Sequence, residues 1–157
     1  MGEGTIRAYA PQDLGRVLDI WEGASRVAHP FLPESFVVAE REKVKDVYMP
    51  TAASWVWEED DAVVGFISLI GDEVGALFVD PKNHRRGIGR ALLEFVLHEH
   101  LTLELEVFAE NVGAKSFYER CGFVSISERG HVDSGRQMLR MRHQPKNQPR
   151  TPRSTVS

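Results

Sequence analysis

The residues best placed to do chemistry surround two glycines, Gly87 and Gly89, with Arg85, Arg86 and Arg90 crowded about them. A strand-like run, Leu77-Phe78-Val79-Asp80-Pro81, leads into this turn, and a helix-like run, Ala91-Leu92-Leu93, leads out of it. Glycines there let the backbone bend tightly and come close to a ligand. The first N–H groups of the following helix have no partners within it and carry the positive end of its dipole. Such a turn suits a phosphate or pyrophosphate, with the arginines adding fixed positive charge. A basic turn that only caps a helix fits the same residues, and the segment alone leaves both readings open. Two nucleotide motifs are excluded. No Gly-Lys-Ser/Thr follows, so a P-loop lacks its lysine and its magnesium-binding hydroxyl, and Leu92 stands where a dinucleotide fingerprint needs its third glycine.

A second segment, Asn111-Val112-Gly113-Ala114-Lys115-Ser116-Phe117-Tyr118-Glu119-Arg120-Cys121-Gly122-Phe123, follows downstream. Asn111 is a good helix N-cap, and small Gly113 and Ala114 leave room for a narrow ligand beside the helix. Adjacent Phe117 and Tyr118 face about 100° apart, so one can pack inward while the other reaches a cleft.

Together these segments resemble the acetyl-CoA-binding motifs of the GNAT superfamily of N-acetyltransferases. The first is an Arg/Gln-x-x-Gly-x-Gly/Ala turn after a strand ending Val-Asp-Pro. The second is Asn-x-x-Ala-x-x-Phe-Tyr-Glu-x-x-Gly-Phe, matched at every named position from Asn111 to Phe123. The first departs at its opening position, where His84 replaces Arg or Gln. The resemblance implies an α/β single-domain fold with a mixed central sheet, helices on both faces, and a splay between two parallel strands that receives acetyl-CoA as co-substrate. By motif position, the backbone of Leu77, Phe78 and Val79 meets the pantetheine arm. The N–H groups of Arg85, Arg86, Gly87, Ile88, Gly89 and Arg90 hold the pyrophosphate, and Asn111, Ala114 and Phe117 border the coenzyme.

The implied reaction is direct attack of a neutral amine on the thioester. Backbone N–H near Val79 serves the carbonyl oxygen, and Tyr118 matches the family's usual donor to the departing thiolate. The base is less evident. Glu104 and Glu106 share one strand face and Glu73 lies at the mouth of the neighbouring strand, each also readable as a solvated strand-edge carboxylate. Glu106 is the candidate base, and a base acting through ordered water is its alternative. The family builds its acceptor pocket largely from the loop between the first two helices, here His29-Pro30-Phe31-Leu32. His29, Phe31 and, from a nearby strand, Trp57 are the candidate acceptor contacts. His131 is a lesser candidate, His98 and His100 sit at a helix end, and Cys121 reads as a packing residue. A small-molecule or peptide amine is the implied acceptor and a homodimer is possible; an acyl-CoA sensor without turnover is the alternative function.

These residues need a scaffold, and hydrophobic periodicity supplies one. Strands are expected over 6–9, 54–58, 62–70, 74–79, 101–107, 123–128 and 137–142. Helices are expected from Pro11 on, from Glu34 to Tyr48 ending before Pro50, from Gly89 to His98, and from Asn111 to Arg120. Gly75 inside its strand suggests a bulge or a close backbone approach. There are no internal repeats.

Composition limits the alternatives. The 157 residues are 42% hydrophobic and 27% charged, a globular balance for one domain. No apolar run reaches the roughly 20 residues of a membrane span, and MGEGTIRAYAP lacks the features of a signal peptide. Cys121 is the one cysteine, so no intrachain disulfide forms, which points to a cytoplasmic protein. From Gln144 the chain carries three cations, Lys146, Arg150 and Arg153, and no acid. That leaves 16 basic against 23 acidic residues, −7, over 1–143. This acidic body argues against nucleic acid as a partner and suits a cationic acceptor. Residues 1–143 are read as the acetyltransferase domain and 144–157, with three prolines, as a flexible basic tail.

Overall fold

Alternating and continuous apolar runs build a seven-stranded sheet in the order β1-β2-β3-β4-β5-β7-β6, seen in a computed structural model that describes residues 4–83, 86–132 and 135–144. The strands are β1 (Thr5–Ala8), β2 (Ala53–Glu59), β3 (Ala62–Ile70), β4 (Glu73–Val79), β5 (Glu104–Phe108), β6 (Phe123–Gly130) and β7 (Gln137–His143). Its main helices are α1 (Leu14–Ala28), α2 (Glu34–Lys43), α3 (Ile88–Leu97) and α4 (Val112–Arg120). Arg85, the position of His84 and the tail beyond Gln144 lie outside the described residues.

All pairings are antiparallel except β4 with β5, which run parallel. That pair keeps register at Glu73–Glu104 and Val74–Leu105, after which β4 follows β3 while β5 follows β7. The expected splay is present. Gly75 sits at a break in register, since Ser68 pairs with Ala76 and Leu69 with Val74. An extra residue bends a strand. It also leaves no room for a side chain: a Cβ on Gly75 would stand 2.8 Å from Tyr48 Cε1. Bulge and close approach are therefore the same feature. Asp60 and Asp61 close the β2–β3 hairpin with φ of 53° and 61°, the left-handed pair that a two-residue turn of this hand requires.

Each face of the sheet has its own core. Val17, Ile20 and Trp21 of α1 and Val37 of α2 pack on Val56 and Phe66. On the other face Leu92, Leu93 and Val96 of α3 and Tyr118 of α4 pack on Ile67, Leu69, Leu105, Phe123 and Met141. Leu92 and Leu93 are completely buried, each contributing about 1.5–3 kcal/mol of transfer free energy.

Two elements differ from expectation. Beyond α2 the chain keeps helical form through a wide π turn, Val44–Tyr48, and a last turn, Met49–Thr51, which contains Pro50. A proline lacks an N–H and crowds the carbonyl behind it. The widened turn accommodates both, with the Met49 N–H reaching Val44 O. β5 starts at Glu104 and not at Leu101, because Leu101 and Thr102 form a turn after α3 while Leu103 is buried.

Candidate active site

The described part of the glycine turn opens directly into a helix. Gly87 has φ +80° and ψ 11° and caps α3, its carbonyl accepting from the Ala91 N–H at 3.0 Å. A side chain at Gly87 would meet nothing within 4 Å. The left-handed backbone, and not crowding, is thus what calls for glycine here. Gly89 is different: a Cβ there would touch Phe117 Cζ at 3.6 Å and Val79 Cγ2 at 3.7 Å, ordinary contacts. Ile88 is buried under the turn. Arg86 and Arg90 are less free than their sequence suggests. Arg86 is held by Glu59 at 2.7 Å and by Asn83 Oδ1 at 2.9 Å, and Arg90 by Glu94 at 2.9 Å on an exposed face. The first turn of the helix lies against the end of β4, where Gly89 approaches Val79. A chain carrying phosphates at one end and an amide-rich arm at the other suits this combination of turn and splay.

Asn111 performs two tasks. Its Oδ1 accepts from the Ala114 N–H at 3.0 Å, capping α4. Its Nδ2 lies 3.0 Å from His29 Nε2, at the end of α1. Because Oδ1 is already the acceptor for the cap, Nδ2 must donate to His29, which leaves the imidazole proton on Nδ1. His29 is half-buried, and burial pushes its pKa below the usual histidine value. The ring stands edge-on to Phe31 and Phe108, with centroids 5.7 and 5.1 Å away. Phe108 also meets His131 at 5.2 Å, and the Arg136 guanidinium lies 5.0 Å over the Phe31 ring.

This cluster forms one end of an open cleft of ≈ 190 Å³ on the α1–α2 face. His29, Phe78, Phe108, His131, Tyr48 and Glu40 are among its lining residues, and buried Ser68 lies in it. Ser68 Oγ is 2.7 Å from Ser54 Oγ. Phe31 packs on His29 and Phe108. Trp57 is elsewhere. With Trp55 it packs against the core under α3, its ring lies hard against Gly4, and its Nε1 donates to Glu59 at 2.9 Å. Strand alternation sends Val56 to the cleft face and Trp57 to the other, so its expected role as an acceptor contact is corrected.

Tyr118 is buried, edge-on to Phe117 at 5.1 Å and Phe123 at 5.6 Å. Burial raises its pKa well above the ordinary phenol value. Its hydroxyl has no hydrogen bond with a described residue. Leu77 and Val79 pack toward the same core while Phe78 turns to the cleft, so β4 serves both faces. Ala114 and Phe117 also lie against that core.

Glu106 has partners. Arg129 forks onto it at 2.6 and 2.9 Å and Arg140 lies 3.7 Å away. The bond from Arg129 leads in holding its carboxyl below the usual range. Glu104 is likewise held by Arg140 and Arg142, each at 2.7 Å, and Glu73 by Arg140 at 3.2 Å. Sequence reasoning missed Tyr48 and Glu40, which reach the cleft from the π turn and from α2. Among the described residues no group of three or more His, Cys, Asp or Glu could hold a metal, and no helix is long and apolar enough to cross a membrane.

Comparison with known proteins agrees with this geometry. Residues 50–125 match the family model described as an acetyltransferase (GNAT) domain. The chain is 39% identical over 119 residues to the peptidyl-lysine N-acetyltransferase YiaC of Escherichia coli K12, covering 75% of this chain and 82% of that one. It is 33% identical over 129 residues to the peptidyl-lysine N-acetyltransferase YjaB of Salmonella typhimurium LT2, covering 82% and 88%. The solution structure of apo-form YjaB from Escherichia coli superposes with a TM-score of 0.81 at 28% identity, covering 90% of this chain and 97% of that one.

Proposed function

The chain belongs to the GNAT acetyltransferases and is an acetyl-CoA-dependent N-acetyltransferase, and from that premise we propose that its acceptor is the side-chain amine of a lysine in a peptide or protein. The observation that carries this reading is its kinship, along most of the chain, with two peptidyl-lysine N-acetyltransferases. The cleft supports it. Apolar walls from Leu32, Val37 and Phe78 suit four methylenes, and the carboxylate of Glu40 is among the lining groups.

In this reading acetyl-CoA supplies a thioester activated for acyl transfer, and the rest falls to the chain. The α3 N-terminus and the Gly87–Arg90 backbone hold the phosphate end. The parted edge of β4, Leu77 to Val79, aligns the arm. Its N–H groups near Val79 face the place where carbonyl oxygen gains charge, the kind of pre-set donor worth most in a dry site. Tyr118, kept protonated by burial, donates to the leaving sulfur. Lysine has a free pKa of about 10.4, so the ammonium must lose a proton before attack. Glu106, made less basic by Arg129, serves here to anchor Arg129 and Arg140, and the proton leaves through water in the cleft. The reaction is placed in the cytoplasm.

Thiol release from acetyl-CoA should be followed with a lysine peptide blocked at its N-terminus, an unblocked peptide lacking lysine, and a polyamine, with mass spectrometry of the products. The blocked lysine peptide is expected to be the substrate, acetylated on the lysine side chain. Turnover only with a free α-amine or the polyamine would refute the lysine reading. Coenzyme binding with no turnover on any amine would favour the sensor.

A further inference from the structure

Of the carboxylates about the cleft, Glu73 and Glu106 are both neutralised by arginine, through Arg140 and Arg129. Glu40 is not. It lines the cleft from α2, half-buried, and makes no ion pair with any described residue. The next residue shows why it is left alone. Arg41 turns to α1, donating to Leu18 O at 3.1 Å and Glu22 at 2.9 Å. Successive helical side chains point about 100° apart, so Arg41 anchors the helix while Glu40 faces the sheet. Glu40 shares its end of the cleft with Tyr48, whose ring covers the side-chain-less face of Gly75. Burial first, and then the charges of Glu73, Glu40 and Glu106, keep the Tyr48 phenol protonated beyond its ordinary pKa. Three carboxylates thus act on one hydroxyl, and one of them pairs with no cation among the described residues.

We propose that Glu40 docks the acceptor: it takes the ammonium of the incoming lysine, with the methylenes along Val37, Leu32 and Phe78, before that nitrogen gives up its proton and moves on to the thioester. The inference rests on the lysine reading above and goes beyond it by naming the residue that selects a cation. A half-buried carboxylate without a partner attracts a cation more strongly than one already paired, because the pair's charges cancel at a distance. Glu40 lines the cleft on the α1–α2 face, whereas Tyr118 belongs to the core on the other face of the sheet, so Glu40 governs acceptor affinity and not coenzyme binding or thiolate release.

The test is steady-state kinetics on the full chain with a blocked lysine peptide and acetyl-CoA, at low and high salt. Glu40→Gln should raise the peptide KM about tenfold, equal to about 1.4 kcal/mol, with kcat and acetyl-CoA KM close to the wild type. Glu40→Asp should recover part of the loss. High salt should raise the wild-type peptide KM and leave that of Glu40→Gln nearly flat, since screening acts on a charge pair that the variant lacks. An unchanged peptide KM in Glu40→Gln, with an active wild type, overturns the Glu40 assignment alone. A wild type that binds acetyl-CoA and ignores lysine peptides overturns both this assignment and the lysine reading.

Discussion

The hydrogen bond from Asn111 to His29 joins the acceptor loop to the helix that carries Tyr118, so breaking it should disturb both halves of the site. In His29→Phe the ring volume is kept and the acceptor is lost, leaving Asn111 Nδ2 without its 3.0 Å partner. An unsatisfied polar group costs about 1–3 kcal/mol when buried. Here the pair is only part-buried, so water can reach the amide and the lower end, about 1 kcal/mol, applies. That corresponds to a melting temperature about 2–4 °C lower, and to about a fivefold loss of kcat/KM for acetyl-CoA if the Asn111 orientation is needed for binding. Protonation should act in the same way. The folded pKa of His29 is depressed by burial, so the unfolded chain binds its proton first. The stability linked to this group is therefore complete above about 6.5 and declines as pH falls below that value toward the folded pKa. His29→Gln offers an oxygen acceptor that does not titrate. It should keep activity near neutrality and lose the acid-side decline expected of the wild type in a thiol-release pH profile. If His29→Phe matches the wild type in melting, in acetyl-CoA KM and in pH profile, the bond has no part in organising the site.

Three further outcomes are expected. Tyr118→Phe should lower kcat at least about tenfold, the scale of general acid catalysis, while leaving acetyl-CoA affinity, measured by calorimetry, nearly intact; undiminished turnover removes Tyr118 from proton donation. Gly87→Ala places a side chain on a left-handed backbone at about 1–2 kcal/mol, so melting should drop by several degrees and acetyl-CoA binding weaken, whereas Gly89→Ala, with only ordinary contacts to meet, should be milder in both. Equal effects at the two glycines contradict the backbone argument. Gly75→Ala must displace the Tyr48 ring, and should raise the peptide KM far more than the acetyl-CoA KM; the reverse ranking would assign the bulge to the coenzyme side.

The parts of the site legible in the sequence are those written locally. The turn at Gly87–Gly89 lies between a strand and a helix a few residues away, and Asn111 caps the helix it opens, so short-range chemistry identifies both. What was hidden depends on distant partners. Alternation shows that Trp55 and Trp57 share a face but not which face, and the choice was made by Val56 packing with Phe66 under α1. Glu106 reads as a strand-edge carboxylate until Arg129 folds back along β6 to meet it. The His29–Asn111 bond spans 82 positions, with no periodic signal at either end. Glu40 escaped notice because α2 buries only Val37, so its helical pattern gives little sign of which side faces the sheet.

The parting of β4 and β5 also bears on how long the protein survives. Two strands that separate after a pair of residues leave backbone groups without the neighbour a sheet normally provides. An amide-bearing ligand lodged there supplies a substitute neighbour, so the loaded protein should open far less often than the empty one. At a concentration a hundred times its Kd, a ligand that binds only the folded chain adds about 2.7 kcal/mol, and the opened population falls about a hundredfold. Proteases that cut the opened chain follow that population. The enzyme's abundance should then rise and fall with the supply of its own acetyl donor, making persistence a readout of metabolic state.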